Sequence, residues 1–81
     1  MLMPLDRVQV ATDNYHVVTT PGGNPRNFIG AQGRIICESR DAGLRLFVRD
    51  PLHPVVVYLV EMDDGAILEV PAGGMRKLES G

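Results

Sequence analysis

Residues 55–70, VVVYLVEMDDGAILEV, place two apolar, β-branched-rich runs on either side of Asp63-Asp64-Gly65. This pattern predicts a β-hairpin, because Gly takes the left-handed conformation that tight turns require. Two registers compete. If Asp64 and Gly65 alone form the turn, Tyr58, Val60 and Met62 share a face with Ile67 and Glu69, and each side of the ribbon holds a carboxylate. If all three residues form the loop, with Gly65 left-handed at a bulge, Tyr58, Val60, Met62, Ala66, Leu68 and Val70 make one wholly apolar face. The second register is preferred, since a one-residue slip moves half of that set to the other side. The opposite face then carries Val57, Leu59, Glu61, Ile67 and Glu69. It is still mostly apolar, which predicts that something covers it.

Elsewhere the alternation is shorter. Residues 7–12 (RVQVAT) read as a first strand with Val8 and Val10 inward. Residues 13–32 read as a long loop, in which Pro21, Gly22, Gly23 and Pro25 forbid regular structure at the centre. Two short apolar clusters, His16-Val17-Val18 and Phe28-Ile29, tie its feet down. Residues 33–40 (GRIICESR) read as a second strand with Ile35 and Cys37 on one side and Arg34, Ile36 and Glu38 on the other. Residues 44–49 (LRLFVR) suit a short third strand, and Pro51 and Pro54 then break the chain before the hairpin. After Pro71, Gly73 and Gly74, residues 75–79 (MRKLE) supply a last brief strand or a helical turn.

Five or so short strands without helical periodicity predict an all-β fold: one domain over residues 1–81, a small, five-stranded antiparallel, partly open SH3-like barrel. Its predicted core is Val8, Val10, Ile35, Cys37, Tyr58, Val60, Met62, Leu68 and Val70. With 81 residues the core is modest, and a chain of this size buries roughly 60–65% of its unfolded surface.

Charge and cysteine usage narrow the partners. A formal charge of −2 argues against a dedicated phosphate-backbone binder, which usually has a clear basic excess. Cys37 is the one cysteine, so neither an internal disulfide nor a cysteine-rich zinc site is expected. The opening MLMPLDRVQV lacks the pattern of a signal peptide, and no stretch approaches the ~20 apolar residues of a membrane span. The expectation is a soluble, cytoplasmic protein.

Three segments resemble a known group of proteins: DRVQV at 6–10, GAQGRI at 30–35 and VVVYLVEM at 55–62, about a third of the chain. Together they resemble the small SH3-like barrels attached to redox enzymes, above all the variable chain of ferredoxin-thioredoxin reductase. A small barrel chain of photosystem I, the barrel of the nitrile hydratase β chain and small nitrogenase maturation accessory proteins are similar in shape. The hairpin here is more regular than that pattern. What the resemblance implies is a non-catalytic accessory chain, holding no cofactor of its own, that covers or stabilises a redox or metalloenzyme partner. The motifs are scaffold signatures and speak to fold before function.

Other chemistry-bearing residues have plainer explanations. His16 and His53 are distant in sequence and neither has a neighbouring His or Cys, so no metal site is expected. Cys37 reads as a small buried hydrophobe. Asp63 and Asp64 are explained by turn formation, where Asp side chains bond nearby backbone amides. Gly22 and Gly23 with Arg26 do not join a strand to a helix, as a phosphate loop does. Arg40, Arg45, Arg49, Arg76 and Lys77 are the residues of an alternative, a small nucleic-acid-binding barrel, but only Tyr15, Phe28, Phe47 and Tyr58 are available for base stacking. No nucleophile, base and orienting group stand at recognisable spacing, so no enzyme is expected. The predicted partner surface is Val57, Leu59 and Ile67 beside Glu61 and Glu69, extended by Ile36 and helped by Phe28 and Ile29 from the long loop.

Overall fold

The computed structural model describes residues 2–23, 26–40 and 55–78. Their strands are β1 (Arg7–Val10), β2 (His16–Thr19), β3 (Gln32–Glu38), β4 (Val57–Met62), β5 (Ile67–Pro71) and β6 (Met75–Lys77). They form one sheet in the order β2-β5-β4-β3-β1-β6, and every neighbouring pair is antiparallel. β2 and β6 are the two edges, so the sheet is partly open. The strands are joined by 3-10 turns at Pro21–Gly23 and Ala72–Gly74, and Arg40, the last described residue after β3, is helical.

The hairpin adopts the three-residue register. Tyr58 faces Val70, Val60 faces Leu68 and Glu61 faces Ile67. Across the loop the Met62 amide donates to the Ala66 carbonyl at 2.7 Å, and the Gly65 amide to the Met62 carbonyl at 2.9 Å. Gly65 has φ 93°, which a side chain would strain. Asp64 Oδ1 accepts the Ala66 amide at 2.9 Å, the side-chain bond that makes Asp a turn former.

The inner face closes around Val8, Val10, Phe28, Ile35, Val60, Met62, Ala66, Leu68 and Val70, all buried. Tyr58 packs half-buried against this cluster. Burial of each large aliphatic or aromatic side chain here contributes about 1.5–3 kcal/mol. Gly33 is the point of closest backbone approach. A Cβ there would stand 2.5 Å from the Glu61 carbonyl oxygen and 2.9 Å from Met62 Cα, so only glycine lets β3 lie this close to β4.

The structure differs from the sequence-based expectations in four places. The long loop contains a strand, since residues His16–Thr19 pair with β5, giving six strands among the described residues. Cys37 is exposed, not in the core. The pairing steps from Ile35–Val60 to Cys37–Leu59, so Ile36 is an extra residue, and this bulge reverses which side Cys37 faces. Phe28 is a fully buried core residue and not part of a partner surface. Its amide donates to the Tyr15 hydroxyl at 3.0 Å, the two rings meet edge to face at 5.8 Å, and the Arg26 guanidinium lies 4.4 Å over the Phe28 ring. Val57, finally, is buried with Val55 in a small cluster apart from the main core. The predicted strand at 44–49, and with it Arg45, Arg49, Phe47 and His53, lies outside the described residues.

Candidate protein-docking face

The register fixes what the outer face of the sheet displays. From β1 come Arg7 and Gln9, from β3 Gln32 and Arg34, and from β4 and its turn Glu61 and Asp63. These make a polar half. Asp63 takes a two-point bond from Arg7, Nη1 to Oδ1 at 2.7 Å and Nη2 to Oδ2 at 2.9 Å. That bond lowers the Asp63 carboxyl below its ordinary pKa and raises the Arg7 guanidinium above its own. Arg34 reaches Glu61 at 3.0 Å. Between them, Arg7, Arg34, Glu61, Met62 and Asp63 line an open depression of about 270 Å³. Nearby, Asp64 is held below its ordinary value by the Ala66 amide and then by Arg26, whose Nη2 is 2.7 Å away.

The other half is largely apolar. Leu59 sits opposite the Ile36–Cys37 bulge on one side and Glu69 on the other. Ile67 lies diagonally beyond it on β5; its partner on β2 is Thr19, and Val18 is the extra residue of the bulge beside that pair. Ile36 and Val18 are 39% and 49% exposed, while Leu59 and Ile67 are half-buried. The row thus crosses four strands. At its far margin Glu69 accepts from Ser39 Oγ at 2.7 Å and lies 2.8 Å from His16 Nδ1. Glutamate stands between serine and histidine, so the histidine is not placed to take the serine proton.

Of the predicted surface residues, Leu59, Ile67, Ile36, Glu61 and Glu69 therefore share this face. Ile29 does not extend the row. It is exposed beside Gly30, whose amide bonds the Val10 carbonyl, at the opposite end of β1 and beyond the polar half. Phe28 and Val57 are withdrawn from the surface by burial. Val18 was not foreseeable as a member, because its strand lies inside a segment of turn-like composition. The repeated β-branched pair Val17-Val18 is the one hint the sequence offers.

The sheet edges are less suited to pairing with another chain. β2 is four residues long and bulged, and β6 has three residues, two of them basic. The cations, too, are mostly neutralised. Arg7, Arg26, Arg34, Arg40 and Lys77 each lie within 4 Å of a carboxylate, which leaves Arg76 as the described cation without such a partner. Among the described residues no three of His, Cys, Asp and Glu stand together as metal ligands, and no helix is long and apolar enough to cross a membrane.

Compared with models of protein families, with curated proteins and with solved structures, the chain matches none.

Proposed function

We propose that this chain is a non-catalytic accessory protein that docks on a protein partner through the outer face of its sheet. The observation that supports this is the apolar row Ile36, Leu59, Ile67 and Val18, exposed or half-exposed on the flank of a domain that already has a closed core. Contiguous apolar surface of this kind marks an interaction site. Polar pairs on either side of the row, the Arg34–Glu61 ion pair and the His16–Glu69 contact, supply the polar rim usual around an interface core. The likeness of residues 6–10, 30–35 and 55–62 to redox-enzyme accessory barrels suggests the partner class, a catalytic chain of a redox or metalloenzyme.

The competing role, a nucleic-acid-binding barrel, requires cations available to phosphate. Five of the described cations are engaged with carboxylates instead, which favours the protein partner. A photo-crosslinking residue at position 59, introduced in the cells that make the protein, tests the choice. A single discrete protein adduct, stable to nuclease and to added salt, is expected. A nuclease-sensitive, salt-sensitive adduct would establish the nucleic-acid reading, and no adduct at all would end the docking proposal.

A further inference from the structure

Asp64-Gly65 is the one Asp–Gly step in the chain, and no Asn–Gly step accompanies it. Such a step is chemically unstable in a flexible peptide, because glycine has no side chain to shield its nitrogen from the carboxyl group before it. The Gly65 main-chain nitrogen attacks Asp64 Cγ. The N–Cγ bond forms, the Cγ–O bond breaks, and the carboxyl hydroxyl leaves with the amide proton as water. Water then reopens the resulting succinimide at either ring carbonyl. Opening at Cγ restores aspartate, whereas opening at the main-chain carbonyl leaves isoaspartate, whose backbone runs through the side chain and is one carbon longer. The net change is an isomerisation, and it consumes no oxidant or co-reactant.

The turn supplies the reactants and the solvent, since Asp64 and Gly65 are both exposed. What it withholds is freedom. The Gly65 amide, the nucleophile, is tied to the Met62 carbonyl at 2.9 Å. Both carboxylate oxygens are also held: Oδ1 by the Ala66 amide at 2.9 Å, and Oδ2 by Arg26, with Nε at 2.8 Å and Nη2 at 2.7 Å. These charge-assisted bonds keep the group an anion, while ring closure proceeds from the neutral acid, whose hydroxyl can leave as water. The Asp64 carboxyl is accordingly below its ordinary range, through the Ala66 amide first and Arg26 after it. Arg26 is itself fixed from below, its guanidinium 4.4 Å over the ring of the buried Phe28. The Ala66 bond is local to the turn, but the Arg26 bond comes from a segment 38 residues away. It is the part of the guard that the loop cannot supply by itself.

We propose that Asp64 is a site of spontaneous covalent modification, forming isoaspartate through a succinimide with Gly65, and that the Arg26 guanidinium is the latch that restrains it. The reaction runs from the minor population in which the latch and the turn bonds are open. Its product matters to the fold, because the extra carbon enters the loop that sets the pairing of Val60 with Leu68 and of Glu61 with Ile67. Isoaspartate there works against the register that separates the inner and outer faces. Nothing in this chemistry depends on the docking face.

The intact chain is incubated at physiological temperature and pH in water enriched in heavy oxygen, which marks every ring opening. Residue 64 is then read by peptide mapping with electron-transfer fragmentation, which tells the two backbones apart. Isoaspartate at position 64 should form at least about tenfold more slowly in the folded protein than in the same chain kept unfolded in urea. Arg26→Met, whose side chain still covers Phe28, should speed the folded reaction about two- to fivefold, the range expected of an exposed ion pair. Val70→Ala lowers stability from the far end of the hairpin and should leave the folded rate unchanged. Absence of isoaspartate and of label at position 64 in the unfolded chain would overturn the modification site. Equal rates in the folded and unfolded chains, or an unchanged rate in Arg26→Met, would overturn the latch. The same acceleration in Val70→Ala as in Arg26→Met would also overturn it, by showing that global unfolding limits the reaction.

Discussion

Gly33→Ala puts the close approach of β3 and β4 under direct test. The added Cβ would lie 2.5 Å from the Glu61 carbonyl oxygen, whereas ordinary contact begins near 3.4 Å. It would also lie 2.9 Å from Met62 Cα and 3.0 Å from Met62 Sδ. The sulfur can swing away, but the other two atoms are backbone, so the strands must part. Their separation disturbs the bond from Asp63 N–H to the Gln32 carbonyl at 3.0 Å beside the contact. Overpacking of this sort costs about 1–3 kcal/mol and a weakened hydrogen bond about 1 kcal/mol, against roughly 0.4–1 kcal/mol gained because alanine stiffens the unfolded chain. A net loss of about 2–3 kcal/mol is a large share of the ~4–12 kcal/mol expected for a domain of this length. In urea unfolding followed by circular dichroism, the midpoint should fall by about 2–3 M, for a slope near 1 kcal/mol per M, with the slope itself unchanged. Adding Met62→Ala should not restore the midpoint, since the nearest obstacle is main chain. A Gly33→Ala protein as stable as the original, or a full rescue by Met62→Ala, would refute the packing argument.

Phe28→Ala removes a fully buried ring together with its edge-to-face contact to Tyr15 and should cost about 3–5 kcal/mol, read in the same urea experiment. A loss under about 1 kcal/mol would return Phe28 to the surface. The acid limb of stability should depend on the turn. The folded pKa values of Asp63 and Asp64 are lowered, by the Arg7 bond for Asp63 and chiefly by the Ala66 amide for Asp64. Their stabilisation is therefore complete above the unfolded carboxyl pKa, about 3.9, and is lost as pH falls through the lower folded values. Below about pH 4 the urea midpoint of Asp63→Asn should fall less steeply than that of the original protein. Identical slopes would mean the Arg7–Asp63 pair does not persist in solution.

The hairpin was fully legible in the sequence. Its apolar alternation runs unbroken on both sides of a glycine-bearing turn, and only the three-residue loop keeps Tyr58 through Val70 on one apolar side, as the pairing of Val60 with Leu68 bears out. Val8, Val10 and Ile35 were legible for the same reason. Cys37 was not, because one inserted residue at Ile36 reverses strand parity, and bulges follow from tertiary pairing more than from residue type. Strand β2 was hidden by the glycines and prolines that follow it, and its pairing partner β5 lies some fifty residues away. Phe28 illustrates a different limit. An aromatic residue in a turn-rich segment can cover a core or decorate a surface, and only its contacts with Tyr15 and Arg26 decide between them. Of the candidate docking face, the members on the hairpin and Ile36 were readable, while Val18 depends on a bulge in a strand hidden among turn residues.

The most direct test of the docking face is Leu59→Lys, measured for folding and binding on the same preparation. Leu59 is half-buried on the outer face, outside the core cluster, and a lysine stem can lie along the sheet while its ammonium reaches water. The variant should keep the original circular dichroism spectrum and a melting temperature within a few degrees of the original, as other surface changes do. In titration calorimetry against the partner captured from position 59, its binding should be lost. A variant that folds and binds normally would contradict the claim that this face is the interface, and one that unfolds would show that Leu59 belongs to the fold instead.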